Sequence, residues 1–309
     1  MDTLAEPLDT PAADPAALGA RIMALAAGAS LDVSARDATA DAVCRAQLAP
    51  GTPVHIVHTA ADTTPGIVAA AARLQRAGLV PVPHVAARGI ASYTRLNDFL
   101  ARLVGEAGVE RLLLVGGDHD SPAGPYGSSL ELLETGLLQK HAIRRVGFAA
   151  YPEGHPRIGI SNLTALLVVK QVLTRRAGLE PFVLTQFCLD AAPIRRWIAE
   201  ARGAGVDCPI QVGLAGPSSV ATLAKFAVRC GIGRSIEKLV HGQTSLTRLV
   251  IETGPEGLIR ALAAAPGVPI AGLHLYAFGG PARTAGWLAA LQRGDFTLPR
   301  DGDRFRVNV

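Results

Sequence analysis

The stretch that decides the fold covers residues 144–190 and reads RRVGFAAYPEGHPRIGISNLTALLVVKQVLTRRAGLEPFVLTQFCLD. An apolar run at 146–150 predicts a strand, which leads into the polar turn YPEGHP at 151–156. A helical run follows, and residues 182–187 predict a second strand with Gln186 near its end. This pattern is typical of a β–loop–α–β unit whose polar residues gather where strands end. In parallel α/β folds, that edge of the sheet is where sites are built.

The rest of the chain repeats this alternation of strand and helix. Runs of strand length lie at 30–34, 54–57, 79–82, 111–115, 146–150, 182–187, 209–212 and 271–276. Eight strands alternating with helices predict an α/β fold, a (β/α)8 TIM barrel in a single domain. No glycine fingerprint G-x-G-x-x-G follows a strand and opens a helix, which argues against a Rossmann domain.

The two ends of the chain differ from its middle. Residues 1–15 hold four acids, three prolines and no base, which predicts a disordered N-terminal tail. We expect the barrel to span residues 16–295 and the polar residues 296–309 to form a C-terminal tail. Within the barrel, a helix is predicted at 130–139, and two helices broken near glycines are predicted at 233–264.

The composition excludes several classes of protein. Hydrophobic residues make up 49 % of the chain and charged residues 18 %, so a large core can be buried. No apolar run is long enough to span a membrane, and no basic segment followed by an apolar one predicts a secretory signal. The four cysteines lack the spacing of metal ligands, which favours reduced thiols in a cytoplasmic protein.

The charge of the chain is moderately positive, with a net charge of +4 and a pI of about 9.1. The basic residues are spread along the sequence, which fits either a solvated surface or an anionic substrate. No basic helix with interleaved aromatic residues is present, so nucleic acid is not an expected partner.

Polar residues near the predicted strand ends are the first candidates for a site. Asp32 is either a surface acid or a general acid, because a barrel interior can raise the pKa of a carboxyl towards neutrality. Asp118 follows two glycines and is otherwise a loop cap. His84 closes the third predicted strand and is otherwise a hydrogen-bonded structural histidine. Gln186 carries an amide, which can both donate and accept hydrogen bonds.

The turn YPEGHP, followed about thirty residues later by LTQF, resembles the methylenetetrahydrofolate reductase family. Members of that family carry a YPE-x-HP turn and an ITQ strand end at similar positions. The resemblance covers about residues 30–292 and is strongest at 146–190. It implies hydride transfer that interconverts 5,10-methylenetetrahydrofolate and 5-methyltetrahydrofolate, with FAD and either NADH or NADPH as cofactors.

The resemblance also implies roles for individual residues. Asp32 stands near the glutamate of the family's FEFFPP pattern and Asp118 at the aspartate of its RGD pattern, so these two are the implied catalytic residues. Asp118 also contacts substrate, together with Gln186 and with Phe226, which is otherwise a core phenylalanine. The residues implied to bind cofactor are His84, Tyr151, His155 and Tyr276.

Several positions depart from the family pattern. LDVSAR replaces FEFFPP, so the side chain of Asp32 is one methylene shorter than the family's glutamate. Gly116 stands where the family has arginine, and Ala165 and Val168 occupy polar positions of the helix after the YPEGHP turn. A site without charge complementarity binds a pyrophosphate poorly. We therefore expect FAD to bind weakly or not at all, with direct hydride transfer from a nicotinamide to the folate as the alternative.

Two hypotheses for function follow. The first is a methylenetetrahydrofolate reductase-like oxidoreductase of one-carbon metabolism, in which an acid such as Asp32 protonates N10. Its partner is a small tetrahydrofolate derivative, and a homo-oligomer is possible. The second is a barrel that has lost catalysis and serves as a folate-binding or partner subunit. The altered first strand and the apolar helix motivate the second hypothesis.

Overall fold

The computed structural model describes residues 14–155, 158–230, 252–265 and 267–309. Eight parallel strands pair in chain order, and the last strand pairs with the first to close the sheet into a barrel. The predicted (β/α)8 barrel is therefore confirmed. Its strands are β1 Ser30–Ser34, β2 Pro53–Val57, β3 Val80–Ala86, β4 Arg111–Val115, β5 Arg145–Ala150, β6 Glu180–Thr185, β7 Ile210–Ala215 and β8 Gly272–Tyr276.

Helices alternate with these strands along the chain. They are α1 Pro15–Ala27, α2 Ala40–Gln47, α3 Thr64–Arg76, α4 Tyr93–Ala107, α5 Ser129–Glu134, α6 Leu137–Lys140, α7 Ile160–Arg176, α8 Ala191–Gly203, α9 Val220–Arg229, α10 Glu256–Ala264 and α11 Pro281–Arg293. None of the described helices combines the length and the apolar character that a bilayer crossing requires.

Short polar side chains start several of the helices that follow a strand. Ser92, Asp190 and Ser219 each accept a hydrogen bond from a backbone N–H in the first turn of α4, α8 and α9. Such caps satisfy donors that a helix leaves unpaired at its start. The caps therefore help to fix where each strand–helix loop ends, at the same pole as the carboxyl ends of the strands.

The core lies in two shells. Outward-facing strand residues such as Leu31 and Ile56 pack with the apolar faces of the helices in one large cluster. Inside the barrel, Val82, Leu113 and Phe182 belong to a second cluster. Gly147 on β5 makes room for this packing, because a Cβ there would overlap the ring of Phe182. The interior is thus filled by side chains, as is usual for such barrels.

The structure corrects several predicted boundaries. The helix predicted at 130–139 is divided into α5 and α6, because Gly136 adopts a left-handed conformation with φ of 71°. Strand β3 continues to Ala86, so His84 lies within the strand rather than at its end. Of the region 233–264, only α10 and the short strand Glu252–Thr253 are described, the latter pairing with Ser218–Ser219.

The predicted tails have different outcomes. Residues 1–13 of the predicted N-terminal tail lie outside the described residues. Within 296–309, Phe296–Thr297 and Arg306–Val307 pair as an antiparallel ribbon, and Phe305 is buried against the main core. The C-terminal segment therefore packs on the barrel. The division at residues 16 and 295 stays a prediction.

Candidate active site

Asp32 is the buried carboxylate of the barrel mouth, by which we mean the carboxyl ends of the eight strands. Its side chain is 9 % exposed. Oδ1 accepts a hydrogen bond of 2.7 Å from the backbone N–H of Ala277, just after β8. Burial raises the pKa of Asp32 to about 6, and the Ala277 N–H offsets only part of that effect. A carboxyl with this pKa can hold and release a proton close to neutral pH.

Tyr276 connects Asp32 with the end of β6. Its hydroxyl donates a hydrogen bond of 3.0 Å to the carbonyl oxygen of Thr185, next to Gln186. Burial raises the pKa of Tyr276 well above its ordinary value, and the neighbouring charges of Asp32 and Tyr151 act in the same direction. The phenol is therefore a neutral donor at physiological pH.

An aromatic wall extends from Tyr276, and we define it as Tyr276, Phe278 and Phe226. The rings of Phe226 and Phe278 stack at 4.1 Å with an interplanar angle of 13°, and those of Tyr276 and Phe278 lie 5.7 Å apart at 14°. The buried ring of Phe187 meets Phe278 edge-on at 4.8 Å. All three rings of the wall are only partly buried. They offer a nearly flat apolar surface on which another planar ring can stack.

Gln186 lies directly after β6, beside this wall. Its backbone N–H donates to the carbonyl oxygen of Ala150 at 2.7 Å, which ties the strand end to β5. Its side-chain Oε1 accepts a 3.1 Å hydrogen bond from the N–H of Phe187. Among the described residues, the side-chain Nε2 has no acceptor. The amide can therefore donate to a ligand without breaking a contact within the protein.

The residues of the YPEGHP turn lie on another side of the mouth. The rings of Tyr151 and His155 meet edge-on at 4.7 Å. Burial raises the pKa of Tyr151, with smaller contributions from Cys230 and Asp118. Asp118 is therefore a neighbour of Tyr151. Its carboxylate is 58 % exposed and lies 3.8 Å from Arg229 at the end of α9.

His84 is placed differently from the other candidates. It is buried inside the barrel, where its Nε2 lies 3.2 Å from Nδ1 of His55 in a hydrogen bond. His274 joins them, with its ring 4.6 Å from that of His55 and its Nδ1 hydrogen-bonded to Ser30 at 2.8 Å. Burial lowers the pKa of both His84 and His274 to about 3, so both rings are neutral.

The structure thus brings seven of the eight candidates to one mouth and leaves His84 in a histidine cluster below it. The seven are Asp32, Asp118, Tyr151, His155, Gln186, Phe226 and Tyr276. Across the described ranges, no group of three or more His, Cys, Asp or Glu side chains has the geometry of a metal site. The sequence analysis missed Phe278, although its spacing of two residues from Tyr276 was a usable signal.

The described residues around Asp118 do not fit the diphosphate of FAD. Arg88 donates to the carbonyl oxygens of Gly127 and His119 at 3.0 and 3.2 Å, and Arg229 faces Asp118 itself. Gly116 adds no side chain, and positions 165 and 168 of α7 carry only alanine and valine. A diphosphate needs cations that are not already engaged.

Comparisons with known proteins add only architecture. No protein-family model matches the chain. Among solved structures it is similar to a GH18 chitinase from Pseudoalteromonas aurantia, with 15 % identity, coverage of 85 % of this chain and 99 % of that one, and a TM-score of 0.46. For dihydropteroate synthase from Thermus thermophilus, the values are 15 %, 83 %, 90 % and 0.44. For ligand-free tryptophan synthase from M. tuberculosis, they are 14 %, 89 %, 98 % and 0.46. Similarities this low carry no argument about function.

Proposed function

We propose that the protein is a methylenetetrahydrofolate reductase-like oxidoreductase that interconverts 5,10-methylenetetrahydrofolate and 5-methyltetrahydrofolate. The observation that carries the proposal is Asp32, a buried carboxyl with a pKa of about 6 that lies beside the aromatic wall. An acid with a pKa near neutrality is what opening of the methylene bridge requires. The YPEGHP and LTQF motifs connect this acid with folate chemistry.

The role of Asp32 follows from the chemistry of the bridge. In the reductive direction, N10 takes a proton, the bond between N10 and the methylene carbon breaks, and an iminium forms at N5. A hydride from the reduced nicotinamide then adds to the methylene carbon. Because Oδ1 of Asp32 is occupied by the Ala277 N–H, we assign the transferable proton to Oδ2.

The neighbouring side chains suit a pterin. A flat heteroaromatic ring can stack on the wall formed by Tyr276, Phe278 and Phe226. The side-chain Nε2 of Gln186 is available to donate to an acceptor on the pterin edge. The exposed carboxylate of Asp118 can accept from the amino and ring N–H groups.

The proposal includes NADH or NADPH as the hydride source and no step through FAD. The reason is the poor fit between a diphosphate and the described residues around Asp118. A purified protein without the yellow absorbance of flavin would agree with direct transfer from the nicotinamide to the folate.

The test is NADH or NADPH oxidation with 5,10-methylenetetrahydrofolate, without added flavin, paired with a measurement of folate binding. Asp32→Asn should lower kcat by at least a hundredfold, because positioned acids contribute about 10²–10⁴-fold. The dissociation constant for folate should change by less than threefold (about 0.7 kcal/mol). Folate binding without turnover in the wild type would favour the rival folate-binding subunit. Absence of folate binding would overturn both hypotheses.

A further inference from the structure

A cavity of about 710 Å³ opens at the N-terminal pole of the barrel, at the opposite end from the mouth. Residues from the start of β2 to β7, or just before, contribute to its lining, as do the segments before β1 and β8. The cavity therefore lies on the barrel axis. Strands of five to seven residues separate it from the mouth by roughly 15–20 Å. Its volume is in the range of small-molecule sites.

The deep part of this cavity is mainly apolar. Val82 and Phe182 line it, and both belong to the cluster that fills the barrel interior. His55 also reaches the cavity from β2, and burial lowers the pKa of its ring well below the ordinary value. The neutral ring adds a polar edge without a charge. A ligand that enters this space meets an apolar floor that suits a ring-sized body.

The rim of the cavity carries an uncompensated cation. Arg111 and Arg145 are register neighbours at the starts of β4 and β5, and both line the cavity. Arg145 pairs with Glu180 at 2.9 Å. Among the described residues, no carboxylate lies within 4 Å of Arg111. Burial, followed by the charge of Arg145, lowers the pKa of Arg111. A bound anion would relieve both effects.

The opposite wall of the cavity carries an unpaired acceptor. Gln211 lies on β7, three strands away from β4 in a closed barrel of eight strands. Its side-chain Oε1 is buried and has no hydrogen-bond partner among the described residues. A buried acceptor without a partner is costly, so a donor in the cavity would be favoured there. The cation and the acceptor therefore face the cavity from nearly opposite sides.

We propose that this cavity is a second ligand site, which binds a small carboxylic acid with a ring-sized apolar body and a hydrogen-bond donor at its far end. Arg111 binds the carboxylate, Val82 and Phe182 contact the body, and Gln211 accepts from the donor. This site is separate from the mouth and does not depend on the function proposed there.

The geometry selects the probe for an experiment. 4-Hydroxybenzoate carries its carboxylate and hydroxyl at opposite ends of one ring, whereas 2-hydroxybenzoate carries them side by side. Benzoate lacks the donor, and phenol lacks the carboxylate. Isothermal titration of the full-length protein should rank 4-hydroxybenzoate above the other three. No binding of 4-hydroxybenzoate up to about 10 mM, or equal binding of phenol, would overturn the proposal.

Matched variants then assign the contacts. Arg111→Gln should weaken binding of 4-hydroxybenzoate by about tenfold or more, since the lost hydrogen bonds are charge-assisted. Arg144→Gln removes the same charge from a side chain that is 74 % exposed and faces Glu110, and should change binding less than twofold. Gln211→Leu should weaken 4-hydroxybenzoate and leave benzoate unchanged.

The variants also provide the opposing outcomes. Equal losses in the variants of Arg111 and Arg144 would show a general electrostatic effect and refute the assigned site. Thermal unfolding checks that each variant is folded. If Arg111→Gln does not fold, the comparison of the two probes on Gln211→Leu still decides, because equal losses for both probes would contradict the assigned donor contact.

Discussion

Replacing Asp32 by asparagine should stabilise the protein at alkaline pH while it removes the proposed proton donor. The pKa of Asp32 is raised from 3.8 to about 6 by burial, and each pKa unit corresponds to about 1.36 kcal/mol, so the ionised carboxylate costs the folded state about 3 kcal/mol. Asparagine carries no charge, and its Oδ1 can still accept the hydrogen bond from Ala277.

The sign of this effect depends on pH. Below the unfolded-state pKa of 3.8, Asp32 is protonated in both states and costs the folded state nothing. Between that value and about 6, the unfolded chain releases its proton first, so the stability of the wild type falls. Above this range the cost is constant. We therefore expect Asp32→Asn to exceed the wild type by about 3 kcal/mol at pH 8 and by about half of that at pH 5.

Urea unfolding at these two pH values measures the free energy of unfolding of both proteins. The matched control is Asp118→Asn, at the same mouth but 58 % exposed, which should change stability by less than about 0.5 kcal/mol. If Asp32→Asn is destabilised equally at both pH values, the pKa of Asp32 is not raised, and its assignment as the acid loses its physical basis.

Three other changes test the mouth and the barrel interior. Gln186→Ala should weaken folate binding by ~1–3 kcal/mol in a titration without lowering the midpoint of unfolding, and an unchanged dissociation constant would count against its role. Gly147→Ala places a Cβ against the ring of Phe182 and should destabilise the protein by ~1–3 kcal/mol in urea unfolding. Adding Phe182→Leu should recover part of that loss, and no recovery would show that the overlap is not the cause. Titration with FAD should give a dissociation constant above about 1 μM, and a nanomolar value would show that other groups hold the diphosphate.

The sequence determined the architecture because its signals are local. Strand-length apolar runs and helix caps depend on residues only a few positions apart, and β1 and β4 begin and end where the sequence predicts. The placement of Tyr151 and Gln186 followed from the same reasoning, since a residue just after a strand reaches the mouth of any parallel barrel. The break at Gly136 and the extension of β3 past His84 were missed because neighbouring elements decide them.

Only the tertiary structure decided the electrostatics of the two poles. Asp32 and Ala277 are 245 residues apart in sequence, and their hydrogen bond exists because β8 closes the barrel against β1. The raised pKa of Asp32 and the neutral histidine cluster around His84 result from burial by distant strands. Arg111 and Gln211 face one cavity for the same reason. Strand register and desolvation are properties of the closed barrel, and no local pattern in the chain encodes them.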